Sequence, residues 1–342
     1  MAYAMEYVPL GRTGLRISRI GYGGAALGNS YTPVETGDGI ACVHKAIEEY
    51  GINYFDTSPS YGRHSLAEAR LGEALAGGWR EKVILATKCG DYHRDRMDGE
   101  DEYYWDYSSR NIRAQLEHQL RRLRTDYVDV LQLHDINAAN LDALLDDAIP
   151  EMKRLQREGK IRFLGITSID LDDLRYVLER TDDIDVVLTF GRYNLMDQGL
   201  VGFFDDLREK KGFALLNCSV LFMGMLTRSF LDPENPRWKY MRKREGVGPA
   251  IQAIEEAAAL CDRNGVDIGS LGVQFGCDCP WCDATLISAG RTERLDQNMM
   301  LIQQPYDRGL AEEVRSILGR VDIMPWIFHR TGKQTEERKR RN

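Results

Sequence analysis

Short apolar runs recur along the chain at intervals that leave room for a helix between one run and the next. Residues 83–88 and 128–134 are two of them, rich in Val, Ile and Leu, and each ends on a polar residue. Such runs are typical of buried strands. The pattern predicts strands near residues 18–24, 52–57, 83–89, 128–134, 161–167, 186–190, 213–219 and 284–289. Residues 108–123 and 141–157 carry Ile and Leu at helical spacing.

Alternation of strand and helix indicates a parallel sheet, and eight such units indicate closure of that sheet into a barrel. We therefore predict an α/β fold, a single (β/α)8 TIM barrel, capped by a short N-terminal hairpin within residues 7–18. A chain of 342 residues suits one barrel domain, which we place at residues 1–330. Residues 331–342 include the densest basic run and are predicted to form a disordered tail.

Long loops are predicted at the C-terminal face of the barrel. Residues 91–107 and 223–247 follow the third and seventh strands, so both segments open at that face, where long loops are usually functional. Their aromatic residues are Tyr92, Tyr103, Tyr104, Trp105, Tyr107, Phe230, Trp238 and Tyr240. These rings either enclose a sugar or another small carbonyl compound, or pack within their own loops. The loop residues Arg94, Arg96, Arg237 and Arg242 either meet an anionic substrate or face water.

The composition narrows the class of protein. A hydrophobic content of 43% and a charged content of 29% are ordinary for a soluble globular protein. No apolar run is long enough for a membrane helix, and the first ten residues do not resemble a secretory signal, so we expect a cytoplasmic location and no membrane partner. The net charge of −8 argues against nucleic acid as a partner.

The seven cysteines are odd in number and scattered, which favours reduced thiols. Their one cluster is Cys277, Cys279 and Cys282. A closed zinc site needs four ligands, and no histidine lies near this cluster in the sequence. We expect a turn entering the last barrel strand and no metal, with a metal-binding module as the alternative.

Four polar residues at or just after strand ends carry the candidate chemistry: Asp56, Tyr61, Lys88 and His134. In a (β/α)8 barrel the C-terminal strand ends form one face, so these groups are expected to converge. A tyrosine with a pKa near its usual value of about 10 is a poor acid or base at neutral pH, and a nearby lysine lowers that pKa. Asp56 would hold Lys88, and His134 would orient a carbonyl or hydroxyl group.

A glycine-rich segment offers a competing interpretation. Residues 21–26 satisfy the loose fingerprint of a dinucleotide-binding Rossmann fold after a strand. That fingerprint requires a helix to begin at once, whereas this chain continues through Gly28, Asn29 and Pro33 before helical spacing starts. We therefore expect no Rossmann fold.

The order and spacing of the four residues, together with segments from Leu10 to Asn298, resemble the aldo-keto reductase family. The resemblance implies that Tyr61 is the general acid or base, that Lys88 and Asp56 tune it, and that His134 orients substrate. It also implies a nicotinamide dinucleotide lying extended across the face of the barrel. By matched position, the cofactor-binding residues are Gly23, Gly24, Asp56, Thr167, Ser168, Phe190, Ser219, Leu221, Gly224, Gly290, Arg291, Arg294, Gln297 and Asn298.

Arginines in the last of these segments bear on the choice of cofactor. The guanidinium groups of Arg291 and Arg294 suit a 2′-phosphate, and Arg294 lies where NADP-preferring members of the family often carry arginine. We therefore favour NADP(H), with NAD(H) as the alternative.

The chain also departs from the family pattern. Phe190 replaces a common glutamine, and Cys218 replaces a frequent tyrosine. Both departures, with the motifs around the four residues, resemble the branch of aldose 1-dehydrogenases, which oxidise the anomeric hydroxyl of a free sugar to a lactone. We predict such an enzyme, with a small carbonyl or sugar substrate and the oligomeric state left open. The alternatives are a general NADPH-dependent aldehyde or ketone reductase and a regulatory nicotinamide-binding subunit.

Overall fold

A computed structural model describes residues 4–95, 101–235, 238, 241–243 and 246–321. The strands, in chain order, are β1 (Tyr7–Pro9), β2 (Arg16–Ser18), β3 (Ile20–Gly23), β4 (Tyr54–Asp56), β5 (Ile84–Cys89), β6 (Asp91–Asp95), β7 (Asp101–Trp105), β8 (Val128–Leu133), β9 (Ile161–Ser168), β10 (Val186–Phe190), β11 (Ala214–Cys218) and β12 (Ala284–Ile287). The longer helices are Thr36–Glu48, Leu66–Ala74, Ser109–Leu123, Ile149–Arg157, Leu171–Arg180, Asp205–Lys211, Gly248–Arg263, Ile268–Cys277, Thr292–Gln303 and Arg308–Leu318.

Eight of these strands form a closed barrel in the order β10, β11, β12, β3, β4, β5, β8 and β9. Each neighbouring pair in the barrel is parallel, and helices lie between the strands along the chain. The predicted (β/α)8 barrel is confirmed, and each predicted strand overlaps an observed one. Strand β3 leads into a short 3-10 helix, Gly24–Gly28, rather than the long helix of a Rossmann unit.

The N-terminal hairpin is also confirmed. Strands β1 and β2 pair antiparallel, and Ile17 and Leu10 are buried beside the inward side chains of the barrel strands, among them Tyr54, Ile84 and Val130. These apolar groups fill the barrel interior, which is a packed core rather than a channel. The hairpin therefore closes the end opposite the predicted catalytic face.

One predicted helix, over 141–157, is interrupted. A helical turn at Leu141–Ala143 starts where the Asn140 side chain accepts hydrogen bonds from two backbone N–H groups, and a π-helical turn follows at Leu144–Ala148. Pro150 lies in the first turn of the next helix, Ile149–Arg157. Because proline has no N–H to donate, the regular hydrogen-bond pattern is broken there and the wider turn is accommodated.

The two predicted loops differ in structure. Residues 91–107 form a hairpin in which β6 pairs antiparallel with β7, so the expectation of a plain loop is wrong there. In the second segment Phe230 and Trp238 are buried and meet edge to face at 5.3 Å between ring centroids. These two rings pack within their own loop. Arg242 donates hydrogen bonds to the carbonyl oxygen of Phe230 and to Glu255, at 2.8 and 2.7 Å.

Several predictions fall outside the described residues. They concern the side chains of Tyr92, Tyr103 and Arg94, all of Arg96, Arg237 and Tyr240, and the tail at 331–342. Within the part of the chain that is described, no helix is long and apolar enough to cross a membrane.

The cysteine cluster leads from the helix Ile268–Cys277 into β12. Cys279 and Cys282 are buried with their sulfur atoms 2.9 Å apart, and Arg19 donates hydrogen bonds to the carbonyl oxygens of both residues. Over the described ranges, no group of three or more His, Cys, Asp or Glu residues is placed to hold a metal ion. This segment therefore connects the helix Ile268–Cys277 to β12 along the chain. Its hydrogen bonds with Arg19 also hold it beside the start of β3.

A buried carboxylate ties the helix Leu66–Ala74 to β5. Glu68 is fully buried; its oxygens accept hydrogen bonds from Thr87, at 2.8 Å, and from Arg122, at 2.8 Å. Thr87 precedes Lys88 in β5, so this interaction helps to fix the strand that carries a candidate catalytic group.

We expect Arg122→Ala to lower the free energy of unfolding by about 3 kcal/mol, because it leaves the Glu68 carboxylate buried without its cation. The control is Arg121→Ala, an exposed neighbour whose loss should change stability by no more than about 0.5 kcal/mol. Chemical denaturation of both variants measures the difference. Equal stabilities would contradict a structural role for the Glu68–Arg122 pair.

Candidate active site

The four predicted residues lie at neighbouring strand ends on the C-terminal face of the barrel. Asp56 is the last residue of β4, Lys88 lies near the end of β5, and His134 directly follows β8. Tyr61 lies in the turn after β4, with its N–H donating to the carbonyl oxygen of Ser58 at 3.2 Å. Parallel pairing of β4, β5 and β8 brings these positions together.

Asp56 and Lys88 form a buried ion pair. Their side chains are 3% and 1% exposed, and the Lys88 ammonium group donates both to Asp56 Oδ1 and to the carbonyl oxygen of Thr57, the latter at 2.8 Å. Gln132, on β8, donates to Asp56 Oδ2 at 2.7 Å. Every carboxylate oxygen of Asp56 thus has a partner, which is what a buried charge requires.

Tyr61 lies between this pair and His134. The Lys88 Nζ atom is 4.8 Å from the centroid of the Tyr61 ring, and the Tyr61 and His134 rings meet edge to face at 6.2 Å. Burial, followed by the Asp56 carboxylate, raises the pKa of Tyr61 well above its usual value. The net lowering expected from Lys88 is therefore not found, because burial and the Asp56 carboxylate outweigh the effect of the cation. The Lys88 charge is already compensated by Asp56, and the phenol is removed from water, so its neutral form is favoured.

His134 has a partner that the sequence did not predict. Asp91 Oδ2 lies 2.8 Å from His134 Nδ1, and the Asp91 side chain is 1% exposed. Burial is the largest influence on the pKa of His134 and lowers it, but the Asp91 and Asp135 carboxylates outweigh burial, so the pKa of His134 is raised. For Asp91 the effect of burial is opposite, because burial raises the pKa of a carboxyl group. The interaction with His134 outweighs burial, so the pKa of Asp91 is lowered.

The hairpin of β6 and β7 forms the wall beside His134. Tyr107 donates hydrogen bonds to the carbonyl oxygens of His134 and Asp135, at 2.5 and 3.0 Å. The Trp105 ring stacks on Tyr107 and meets His134 edge to face at 6.2 Å. Two buried polar atoms of this wall, Trp105 Nε1 and Asp91 Oδ1, have no hydrogen-bond partner within the described ranges. Buried groups of this kind are usually satisfied, so each is a candidate contact for an ordered water or a polar ligand.

Three residues predicted to bind the cofactor, Thr167, Ser168 and Phe190, lie at the ends of β9 and β10. The Thr167 hydroxyl accepts a hydrogen bond from the Asp135 N–H at 2.8 Å, and the Ser168 hydroxyl donates to Asn137 at 3.1 Å. Both hydroxyl groups are buried and bonded within the protein. Phe190 is half-buried at the end of β10, opposite Cys218 on β11.

The segment after β11 has an unusual backbone. Ser219, Phe222, Met223 and Gly224 all have positive φ, at 62°, 48°, 56° and 94°. Positive φ is uncommon for residues other than glycine, and such strain clusters at ligand-binding segments. The Ser219 hydroxyl accepts a hydrogen bond from the Met223 N–H at 2.8 Å, which closes the turn. Leu221 lies on the same turn and is half-buried.

The segment after β12 brings a helix start close to β3. A Cβ atom on Gly290 would lie 2.5 Å from Val34, so only glycine fits this approach. Nearby, the carbonyl oxygen of Gly23 accepts a hydrogen bond from Ser288 at 2.7 Å. A Cβ atom on Gly24 would lie 2.9 Å from the carbonyl oxygen of Asp56.

Arg291 directly precedes the helix Thr292–Gln303, and no side chain caps the first N–H groups of this helix. Arg291 is exposed and donates to the carbonyl oxygen of Pro33 at 3.0 Å. Arg294 and Gln297 are also exposed, whereas Asn298 is buried. Uncapped N–H groups beside arginines form a site suited to phosphate.

Sequence comparison with known proteins identifies the family to which this chain is similar. The family model described as "Aldo/keto reductase family" matches residues 19–318. L-galactose dehydrogenase from Arabidopsis thaliana is 33% identical over 331 residues, which cover 94% of this chain and 97% of that protein. D-threo-aldose 1-dehydrogenase from a Pseudomonas species is 28% identical over 317 residues, which cover 88% of this chain and 94% of that protein.

Solved structures show the same fold. An aldo-keto reductase from Bacillus halodurans in its holo form has a TM-score of 0.69 and 25% identity, with 92% of this chain and 97% of that one covered. A glycerol dehydrogenase from Gluconobacter oxydans also has a TM-score of 0.69, at 22% identity, with 93% and 96% covered. The resemblance found in the motifs is confirmed: this chain belongs to the aldo/keto reductase family and is an NAD(P)-dependent oxidoreductase.

Proposed function

We propose that this protein oxidises C1 of a free aldose to a lactone, with Tyr61 as the general acid or base. The observation that carries the proposal is the pair of unpartnered buried polar atoms beside His134, on Asp91 and Trp105. The names of two relatives, L-galactose dehydrogenase and D-threo-aldose 1-dehydrogenase, support the same class of substrate.

A sugar suits this wall better than a simple aldehyde does. Asp91 Oδ1 can only accept a hydrogen bond, and Trp105 Nε1 can only donate one. Each hydroxyl group of a sugar both donates and accepts, so neighbouring hydroxyls satisfy both atoms. A simple aldehyde offers one acceptor, which would leave the Asp91 oxygen without a partner at a cost of roughly 1 to 3 kcal/mol.

The described residues fit a nicotinamide dinucleotide. The helix Thr292–Gln303 has uncapped N–H groups, and neither the Arg294 guanidinium nor the Asn298 amide has a hydrogen bond to another described residue. Arg291, Arg294, Gln297 and Asn298 would hold the adenosine end, and the turn with Ser219, Leu221 and Gly224 the pyrophosphate. Gly23, Gly24, Thr167, Ser168 and Phe190 would border the nicotinamide. The bound dinucleotide supplies the acceptor or donor of the hydride.

The proton is handled by the chain itself. In oxidation Tyr61 first loses its proton to solvent, and the phenolate then takes the proton of the anomeric hydroxyl; in reduction the phenol gives its proton to the carbonyl oxygen. Lys88, held by Asp56, places a positive charge beside the phenol, which stabilises the phenolate when it forms. His134 positions the reacting oxygen opposite Tyr61. The raised pKa of Tyr61 keeps the phenol protonated at neutral pH, so we expect oxidation to accelerate as the pH rises.

The same raised pKa favours a second candidate function. A phenol that stays protonated at neutral pH is prepared to donate, which suits an NADPH-dependent aldehyde or ketone reductase. The two candidates differ in the substrate that is turned over and in the direction that is faster.

The first test is absorbance at the reduced-nicotinamide band. Purified protein is given NAD or NADP with a panel of free aldoses, and NADPH or NADH with a panel of aldehydes. Turnover of aldoses supports the proposal. Reduction of aldehydes alone would replace it with a carbonyl reductase.

Tyr61→Phe should lower kcat by at least about a hundredfold, because the variant cannot transfer a proton, while the dinucleotide still binds. Nucleotide binding is measured by fluorescence titration and turnover by absorbance. The control is Tyr176→Phe, which removes an exposed hydroxyl that donates to Asp142 at 2.6 Å and has no proposed part in the reaction. Retained turnover in Tyr61→Phe would remove this residue from the mechanism.

We propose NADP(H) as the preferred cofactor because of Arg294. Arg294→Ala should raise KM for NADP(H) by up to about fivefold, the effect of losing one exposed ion pair, and leave KM for NAD(H) nearly unchanged. Arg320→Ala, which removes another exposed arginine from the pair with Glu256, is the control. An equal effect on both cofactors would argue against recognition of a 2′-phosphate by Arg294.

A further inference from the structure

The contact between Asp91 and His134 assigns a role to a residue outside the group of four. We propose that Asp91 is a positioning residue that holds His134 as an imidazolium, with Nε2–H directed at the oxygen of the substrate. This inference rests on the proposed function, because it concerns the same proton-transfer site.

The backbone fixes Asp91 firmly. Gln115, on the helix Ser109–Leu123, accepts a hydrogen bond from the Gly90 N–H at 2.9 Å and donates one to the carbonyl oxygen of Asp91 at 2.8 Å. Gly90 has a φ of +99°, and a Cβ atom there would lie 2.4 Å from the Tyr107 ring. The chain thus turns at Gly90 and delivers the Asp91 carboxylate to His134 Nδ1.

The pairing selects the nitrogen that meets substrate. Asp91 occupies Nδ1, which also lies 3.4 Å from the Ser58 hydroxyl, so Nε2 is the nitrogen left for a ligand. If the imidazole were neutral with its proton on Nδ1, Nε2 could only accept a hydrogen bond. A carbonyl oxygen needs a donor, and the imidazolium supplies a charge-assisted one. Asp91 therefore determines whether His134 can hold the carbonyl form of the substrate.

Other groups also face His134 and affect its charge. Asp135 Oδ1 lies 3.8 Å from Nε2, the Lys88 ammonium group opposes the positive form, and the neutral Tyr61 ring borders the imidazole. Asp135 is half-buried, and burial raises its pKa, which weakens its effect as an anion. Asp91 has the shorter contact and a lowered pKa, so it is the carboxylate that stays charged beside His134.

The direct test is an NMR titration of protein labelled with ¹⁵N at histidine, with the His134 signal assigned by its loss in His134→Gln. In the wild-type protein we expect His134 to titrate above the usual value of about 6.5, because the Asp91 carboxylate contacts Nδ1. Asp91→Asn, which keeps the shape but removes the charge, should lower that midpoint by at least one unit. Asp91→Glu should restore part of the shift. Asp135→Asn is the matched control and should lower the midpoint by less than Asp91→Asn does.

The pH dependence of kcat/KM is a second measurement, and it would not change if the role of Asp91 were only structural. The imidazolium is present below the pKa of His134 and is lost as the pH rises through it. In the direction of carbonyl reduction, the alkaline limb of kcat/KM should therefore move to lower pH in Asp91→Asn, with the largest loss at high pH. At low pH, where His134 is protonated in both proteins, the part of the loss that comes from the charge of His134 should disappear.

Two results would overturn the inference. One is titration of wild-type His134 at or below 6.5, which needs no variant to fold. The other is an equal shift in Asp91→Asn and Asp135→Asn, which would assign the effect to general negative charge rather than to the contact at Nδ1. The titration needs no substrate. It therefore tests the role of Asp91 even if no aldose is turned over and the proposed function fails.

Discussion

The buried ion pair of Asp56 and Lys88 is the constraint on which the rest of the site depends. Both side chains are almost completely removed from water, so their charges must be satisfied by protein atoms. The partners come from the turn after β4, through the carbonyl oxygen of Thr57, and from β8, through Gln132. Since side chains alternate between the two faces of a strand, a slip of one residue in β4, β5 or β8 would separate these groups. The charge pair therefore fixes the register at the catalytic face.

A second buried pair, Asp91 and His134, lies on the other side of Tyr61. The phenol thus stands between two neutralised pairs rather than beside one free cation, which explains why burial dominates its pKa. In an environment of low dielectric constant each pair interacts strongly with charge that develops nearby. In the proposed mechanism, proton transfer to or from Tyr61 takes place where the four flanking groups are already held in place by hydrogen bonds and need little rearrangement.

The sequence predicted the barrel and the gathering of the four residues because both follow from local patterns. Apolar runs identify strands, and their order places Asp56, Lys88 and His134 at one face. It did not predict Asp91 as the partner of His134, because that contact depends on how the turn at Gly90 directs the chain. Nor did it predict the interrupted helix near Pro150 or the raised pKa of Tyr61. Both depend on packing and burial in three dimensions. The aspartate directly after Gly90 was the one signal in the sequence for this contact.

In the proposed function, the hairpin that carries Asp91 and Trp105 contributes both to proton transfer and to the selection of the substrate. The eight barrel strands and the Asp56–Lys88 pair would support proton transfer at the oxygen of any carbonyl or alcohol group. The hairpin adds an acceptor, a donor and the anion that faces His134, all from residues between β5 and the helix Ser109–Leu123. Because Asp91 belongs to both the wall and the His134 pair, substitution there affects recognition and protonation together. In the proposed function, selectivity for a polyhydroxylated substrate and control of the charge on His134 would therefore be coupled through a single carboxylate.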